Sequence, residues 1–254
     1  MKILIAGSGL IGKSLSLNIC KNKNIISKLI SLRETNSFIF KREFNLLKKG
    51  DVFLDSMDPN DVNINFNKRI HDKAKIFREY ALKNSENKLY IYLSTCNLYK
   101  TSFERIDESS EIKSNLTPYL RMKLNSEEQI KNHCKSDFTI LRIVNSWSDS
   151  SENSFLGDLF SAKKNETYIA PRENDDLVIS YANIFDICKI IESIVQFPKF
   201  GIINITTNSF DSRENLKSIV NKKITKPISN NLGYRIFSNV INWETILSKK
   251  KELF

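Results

Sequence analysis

The sequence predicts an α/β fold built on a doubly wound parallel sheet, on the strength of three observations. Short, continuously apolar runs alternate with segments of helical periodicity through the first half of the chain. A glycine-rich turn joins the first apolar run directly to the first helical segment. The later runs keep this strand–helix order, as expected of parallel strands covered on both faces.

The elements follow in order. Residues 2–6 read as a buried strand, and residues 10–22 as a helix with Leu10, Ile11, Leu15, Leu17 and Ile19 at helical spacing. Lys28–Leu32 reads as a second strand, and Val52-Phe53-Leu54, after Gly50-Asp51, as a third. The segment between them is short, so a helix of the usual pattern is expected to be missing there. Residues 67–84 predict a helix with Ile70, Ala74, Phe77 and Ala81 on one side. Leu89–Leu93 is strongly β-prone, residues 118–132 are helical in pattern, and Phe138–Val144 is a further strand. Beyond residue 145 the pattern loosens into the Ser-rich stretch Ser146–Ser154. An amphipathic helix over Ile184–Val195, a strand over Gly201–Ile205 and a helix over Arg213–Val220 follow. The expected division is residues 1–145 as the main domain and 146–254 as a small C-terminal lobe. The lobe is interleaved with the first domain, to which its strand and helix near 178–206 return.

Composition removes several classes. With 254 residues and 41% hydrophobic content, the chain can bury one large core. No apolar run reaches the ~18 residues that cross a bilayer, and Met1–Ala6 is broken too early by glycine to be a signal peptide. Cys20, Cys96, Cys134 and Cys188 form no CxxC pair, which fits a reducing cytoplasm and neither a disulfide scaffold nor a zinc site. His71 and His133 have no partners at metal-ligand spacing. The net charge of +10 is spread along the chain, with small clusters at Lys48-Lys49, Lys222-Lys223 and Lys249–Lys251, and no aromatic-and-basic module accompanies it. That pattern implies a solvated basic surface suited to anionic small molecules, and not a nucleic-acid binder.

Gly7-Ser8-Gly9-Leu10-Ile11-Gly12 is a GxGxxG that leaves a strand and opens a helix. One glycine permits a positive φ, one lets the backbone approach a pyrophosphate, and one allows close helix–strand packing. A pyrophosphate then meets the amides at the positive end of the helix. This is the signature of a Rossmann-type dinucleotide-binding sheet. Arg33 and Glu34 follow the second strand. Arginine at the ribose accommodates a 2′-phosphate and so selects NADP; a register that brings Glu34 there selects NAD. Arg33 stands immediately after the apolar run, which favours NADP.

Tyr119 and Lys123 form a YxxxK, one face of a helix at i and i+4. A cation beside a phenol stabilises phenolate and fits the tyrosine for acid–base work. Upstream, a β-prone run ends in Ser94-Thr95, at the strand end where such sheets place their ligands. Cys96 has no histidine near it in sequence, so a nucleophilic role is not expected. Trp147 flanks the last core strand and suits packing as well as a ligand.

The glycine turn, the run Tyr90–Tyr99 and the YxxxK after Pro118 occur in this order, with Leu141–Asn145 and Tyr181–Ile187 as further matches. In these the chain resembles the extended short-chain dehydrogenases/reductases of the NAD-dependent epimerase/dehydratase family, over residues 1–220. The chain departs from the family at Ala6, Asp55-Ser56-Met57 and Lys100. The resemblance implies that Thr95 polarises a substrate oxygen, Tyr119 is the acid/base, and Lys123 tunes it and binds the nicotinamide ribose. It implies further that the glycine turn, Arg33 and Ser56 hold the cofactor, that Asn97 and Asn145 contact substrate, and that Asp186 is structural. No metal is implied. A nucleotide-linked sugar is the implied substrate, and a homodimer through the YxxxK helix the implied assembly. Cys96-Asn97 in place of an Asp-Glu pair argues against dehydration. The resulting expectation is reduction of a 4-keto-deoxysugar in surface-polysaccharide synthesis. The alternatives are a 4-epimerase that recycles NAD and a non-catalytic dinucleotide-binding sensor or assembly subunit.

Overall fold

In a computed structural model of the chain, residues 1–19, 24–58, 64–147, 178–212 and 235–240 are described. The expected helix over 213–220, most of the Ser-rich stretch 146–154, Cys20 and the basic clusters at 222–223 and 249–251 lie outside them.

Two compact units share the chain. The first comprises Met1–Thr95, Asn115–Arg142 and Ile191–Ile203. It holds a six-stranded sheet in the order β2-β1-β3-β4-β6-β9. The strands are β1 (Lys2–Ala6), β2 (Ile26–Ile30), β3 (Val52–Asp55), β4 (Leu89–Thr95), β6 (Phe138–Ile143) and β9 (Gly201–Ile205). Helices α1 (Leu10–Ile19), α2 (Ser37–Asn45), α3 (Ile64–Lys83) and α4 (Pro118–His133) connect them. The pairs β1·β2, β1·β3 and β3·β4 run parallel, and their register sets Ala6 level with Ile30 and Asp55, and Asp55 level with Tyr92. The carboxyl ends of four adjacent strands therefore finish side by side, where α/β sheets present their ligand sites.

Both faces of the sheet are buried, which explains the unbroken apolar runs. Leu4, Ala6, Phe53, Tyr90 and Tyr92 pack with Phe40 and Phe44 of α2 and Ala74, Phe77 and Ala81 of α3. Ile3, Ile5, Leu54 and Ile91, which alternate with them, are buried as well. The Phe40 and Phe77 rings stack at 4.2 Å, and Phe44 meets Phe53 edge-on at 5.1 Å.

Two expectations are corrected between β2 and β3. A helix is present there: α2 is capped by the Asn36 side chain, which accepts from the Ile39 amide at 2.9 Å. Among the described residues no strand lies outside β2, where the usual dinucleotide-binding order 3-2-1-4-5-6 has its third. The second correction is that β2 ends at Ile30 and not at Leu32. The Glu34 and Thr35 amides both donate to the Ser31 carbonyl, at 3.3 and 3.0 Å, so Leu32 and Arg33 lie in a turn.

The second unit comprises Cys96–Ser114, Ile143–Ile190 and Asn204–Phe254. A 3-10 turn covers Cys96–Leu98. The remaining strands are β5 (Arg105–Ile106), β7 (Asn145–Trp147), β8 (Val178–Asn183), β10 (Phe210–Ser212) and β11 (Arg235–Ile236). They form a β10-β8-β7 sheet and a parallel β11-β5 pair. Asn204 ties this unit together: its Oδ1 accepts from Tyr99 at 2.8 Å, its Nδ2 donates to the Phe237 carbonyl at 2.9 Å, and its amide donates to Glu108 at 3.0 Å. Helix α5 (Ile184–Gln196) follows β8 and is contributed to by both units.

Candidate active site

The glycine turn assigns each glycine a different job. Gly7 has φ +112°, and a Cβ there would lie 2.1 Å from the Ser56 carbonyl oxygen. At Gly12 a Cβ would lie 2.1 Å from the Gly7 carbonyl oxygen. At Gly9, which is exposed, it would meet nothing within 4 Å. Gly7 thus makes the turn, Gly12 lets α1 lie against it, and Gly9 offers bare backbone to whatever approaches. The first helical bond runs from the Lys13 amide to the Gly9 carbonyl at 3.0 Å. The Leu10, Ile11 and Gly12 amides are therefore start-of-helix donors, and the first turn carries no acidic side chain to compete for them. Ser8 is half-buried beside them. These features fit a pyrophosphate.

Ser56 supports the turn from below. Its Oγ lies 3.1 Å from both the Ala6 and the Gly7 carbonyl oxygens, and its amide donates to Ala6 at 2.8 Å. Arg33 is exposed in the turn after β2. Lys73, on α3, reaches the same turn and donates to the Leu32 carbonyl at 2.8 Å.

Helix α4 begins with Thr117, which caps the Leu120 amide at 3.3 Å, and with Pro118 in the first turn. This start sets the rotation of the helix and hence of the YxxxK. Tyr119 is half-buried, whereas Lys123 is only 5% exposed. The Lys123 ammonium lies 5.8 Å from the Tyr119 ring centre and donates to the Leu93 carbonyl at 2.8 Å. That carbonyl is two residues before Thr95, itself buried at the end of β4.

Lys123 also belongs to a buried ionic network that sequence reasoning did not find. Its Nζ lies 3.5 Å from Asp58 Oδ2 and 5.2 Å from the Tyr92 ring. Arg78 donates to Asp58 Oδ1 at 2.9 Å, to both Asp55 oxygens at 2.6 and 3.1 Å, and to Ser126 at 2.7 Å. Tyr90 donates to Asp55 at 2.8 Å, and Tyr92 donates to Asp58. Two carboxylates and two cations balance, as buried charges require. Burial alone would raise the Asp58 pKa, but the Arg78 and Lys123 charges and the bonds from Tyr92 and Arg78 overcome it and hold it at about 2. Burial, then the neighbouring carboxylates, push the Tyr90 and Tyr92 phenols well above the usual tyrosine range, so both remain donors. One signal for the network was present in the sequence: Arg78 falls on the apolar stripe of α3, four residues after Ala74 and three before Ala81.

Asn97 and Asn145 belong to the second unit. Asn97 is half-buried in the 3-10 turn after β4, and Asn145 donates to the Ser180 carbonyl at 3.0 Å.

The sheet order, the glycine turn and the placement of the helix bearing Tyr119 and Lys123 against β4 make a Rossmann-type α/β fold. Particular solved structures share it. A dTDP-4-dehydrorhamnose reductase from Clostridium acetobutylicum is 17% identical, with TM-score 0.72, over 100% of this chain and 99% of that one. A dTDP-4-dehydrorhamnose reductase from Bacillus anthracis, solved in complex with NADP, is 16% identical, with TM-score 0.69, over 98% and 97%. The UDP-glucose 4-epimerase of Thermus thermophilus, in complex with NAD, is 12% identical, with TM-score 0.71, over 98% and 93%. No family model and no curated protein matches the chain.

Proposed function

We propose that the protein is an NADP-dependent oxidoreductase that reduces a keto group of a nucleotide-linked deoxysugar, as a step in surface-polysaccharide synthesis. The observation that carries this reading is the position of Lys123, donating to the carboxyl end of β4 at Leu93 with the Tyr119 ring beside it. The dTDP-4-dehydrorhamnose reductases and UDP-glucose 4-epimerase of the same fold support the substrate class. The Gly7–Gly12 turn and the α1 amides would hold the pyrophosphate, with Ser56 bracing the turn. Arg33, with the Lys73 ammonium reaching the same turn from α3, favours a 2′-phosphate over a bare ribose. The bound dinucleotide supplies the hydride. Thr95 donates to the substrate carbonyl oxygen, and the Tyr119 hydroxyl delivers the proton to the alkoxide that forms. Lys123 orients the phenol and contacts the nicotinamide ribose.

One observation favours a non-catalytic dinucleotide-binding role instead: the Lys123 charge is shared with Asp58. A single experiment separates the readings. The protein is first titrated with NADPH and NADH, and NADPH consumption is then followed with a dTDP- or UDP-linked 4-keto-6-deoxysugar. Tyr119→Phe should lower turnover by about two orders of magnitude or more and leave NADPH binding intact. Binding without any turnover in the unaltered protein supports the second reading, and no binding of either dinucleotide refutes both.

A further inference from the structure

We propose that Asp58 is the positioning residue for Lys123, and that the loop after β3 holds the lysine and the glycine turn in fixed relation. The proposal rests on the reading of Lys123 as part of the site. A lysine side chain has four rotatable stem bonds and a point charge with no preferred direction, so a fixed place for its ammonium must be imposed from outside. Here the Leu93 carbonyl takes one N–H at 2.8 Å, and Asp58 Oδ2, at 3.5 Å, draws the charge from the side of β3. Asp58 is itself held on both oxygens, by Arg78 on Oδ1 at 2.9 Å and by the Tyr92 hydroxyl on Oδ2. Its side chain is only 1% exposed. Among the described residues, the other charged and titratable neighbours are Asp55 and Tyr90, both fully buried on the far side of Arg78, and half-buried Tyr119 on α4.

The loop has a second grip. Ser56, two residues before Asp58, lies with its hydroxyl 3.1 Å from the Gly7 carbonyl oxygen. Within one short segment, Ser56 braces the glycine turn and Asp58 holds the lysine beside Tyr119. A charged residue is not required to fill this space, since an apolar core would cover the same strands at less desolvation cost. The arrangement makes sense if Lys123 must stay charged and in place.

The test combines two measurements on the full chain. In the first, reductive methylation of Lys123 is followed by peptide mass spectrometry in the unaltered protein and in Asp58→Asn, with half-buried Lys88, remote from Asp58 on the chain, as the internal control. Lys123 should be modified about tenfold faster in the variant while Lys88 is unchanged. An unchanged Lys123 rate in folded Asp58→Asn overturns the proposal. If Asp58→Asn does not fold, Tyr92→Phe removes one bond to Asp58 and keeps every charge. Its Lys123 rate should then rise about twofold or more, and no rise overturns the proposal. In the second measurement, kcat and KM for the ketosugar are compared in Asp58→Asn, Lys123→Met and the double variant. Asp58→Asn should lower kcat about tenfold, with KM within about threefold, and add nothing once Lys123 is methionine. Equal losses in both backgrounds would mean a merely structural role. Failure of the functional reading appears separately, as an unaltered protein without dinucleotide-dependent turnover, and the methylation result still decides the position of Lys123.

Discussion

Arg142 grips Glu127 through two parallel hydrogen bonds, Nε to Oε1 at 3.0 Å and Nη2 to Oε2 at 2.7 Å, with both side chains buried. Ser94 adds a third bond to Oε1 at 2.6 Å. The fork joins β6 to α4 one turn beyond Lys123, and Ser94 brings in the end of β4. Arg142→Met strands a buried carboxylate whose nearest other cation among the described residues, Lys131, is 4.0 Å away and partly in solvent. The expected loss is about 3–5 kcal/mol of unfolding free energy, measured by denaturant titration. Much of it should return when Glu127→Gln is added, because the stranded charge is then gone.

The three glycines should respond differently to alanine. Gly7→Ala and Gly12→Ala drive a methyl to 2.1 Å from backbone carbonyl oxygens, so both should lower the melting temperature sharply. Gly9→Ala meets no protein atom within 4 Å and should change stability by only about 1 kcal/mol. The same methyl stands where a pyrophosphate would approach, so dinucleotide affinity should fall about tenfold or more. Melting curves with and without NADPH read both effects.

Acid should weaken the fold through Asp58. Its carboxyl is held at about 2 in the folded protein, against an ordinary value of 3.8. A depressed folded pKa adds stability above the unfolded value and loses it as pH falls through the folded one. The contribution, about 2 kcal/mol, should therefore disappear between about pH 4 and pH 2. Circular dichroism during acid titration should show a shallower decline over that window in Asp58→Asn.

Cofactor choice should turn on Arg33. Arg33→Ala should weaken NADPH binding about tenfold or more and leave NADH binding almost unchanged, as read by fluorescence titration. Loss of affinity for both cofactors alike would remove Arg33 from the 2′-phosphate.

Where local chemistry marks the chain, the elements were legible in advance. Gly7 ends β1, and Thr117-Pro118 starts α4, through backbone needs that belong to those residues alone. The end of β2 was misread because Leu32 is apolar for another reason: it is buried among the core side chains after the strand has already turned at Ser31. Helix α2 was missed although Asn36 is an ordinary cap. Its exposed Phe38, Lys41 and Arg42 blur the apolar stripe of Phe40 and Phe44.

By itself the sequence determined the alternation of strand and helix, the conformations open to Gly7, Gly9 and Gly12, and the shared helix face of Tyr119 and Lys123. Each of these is set within a few residues by backbone sterics and side-chain period. Tertiary structure alone decided that Asp58, Arg78, Tyr92 and Lys123 meet in one buried ionic network. Those side chains come from a loop, two helices and a strand far apart in the chain, and only close packing of both helices on β4 brings them together. Burial then fixes their charges: removed from water, each carboxylate must have its cation.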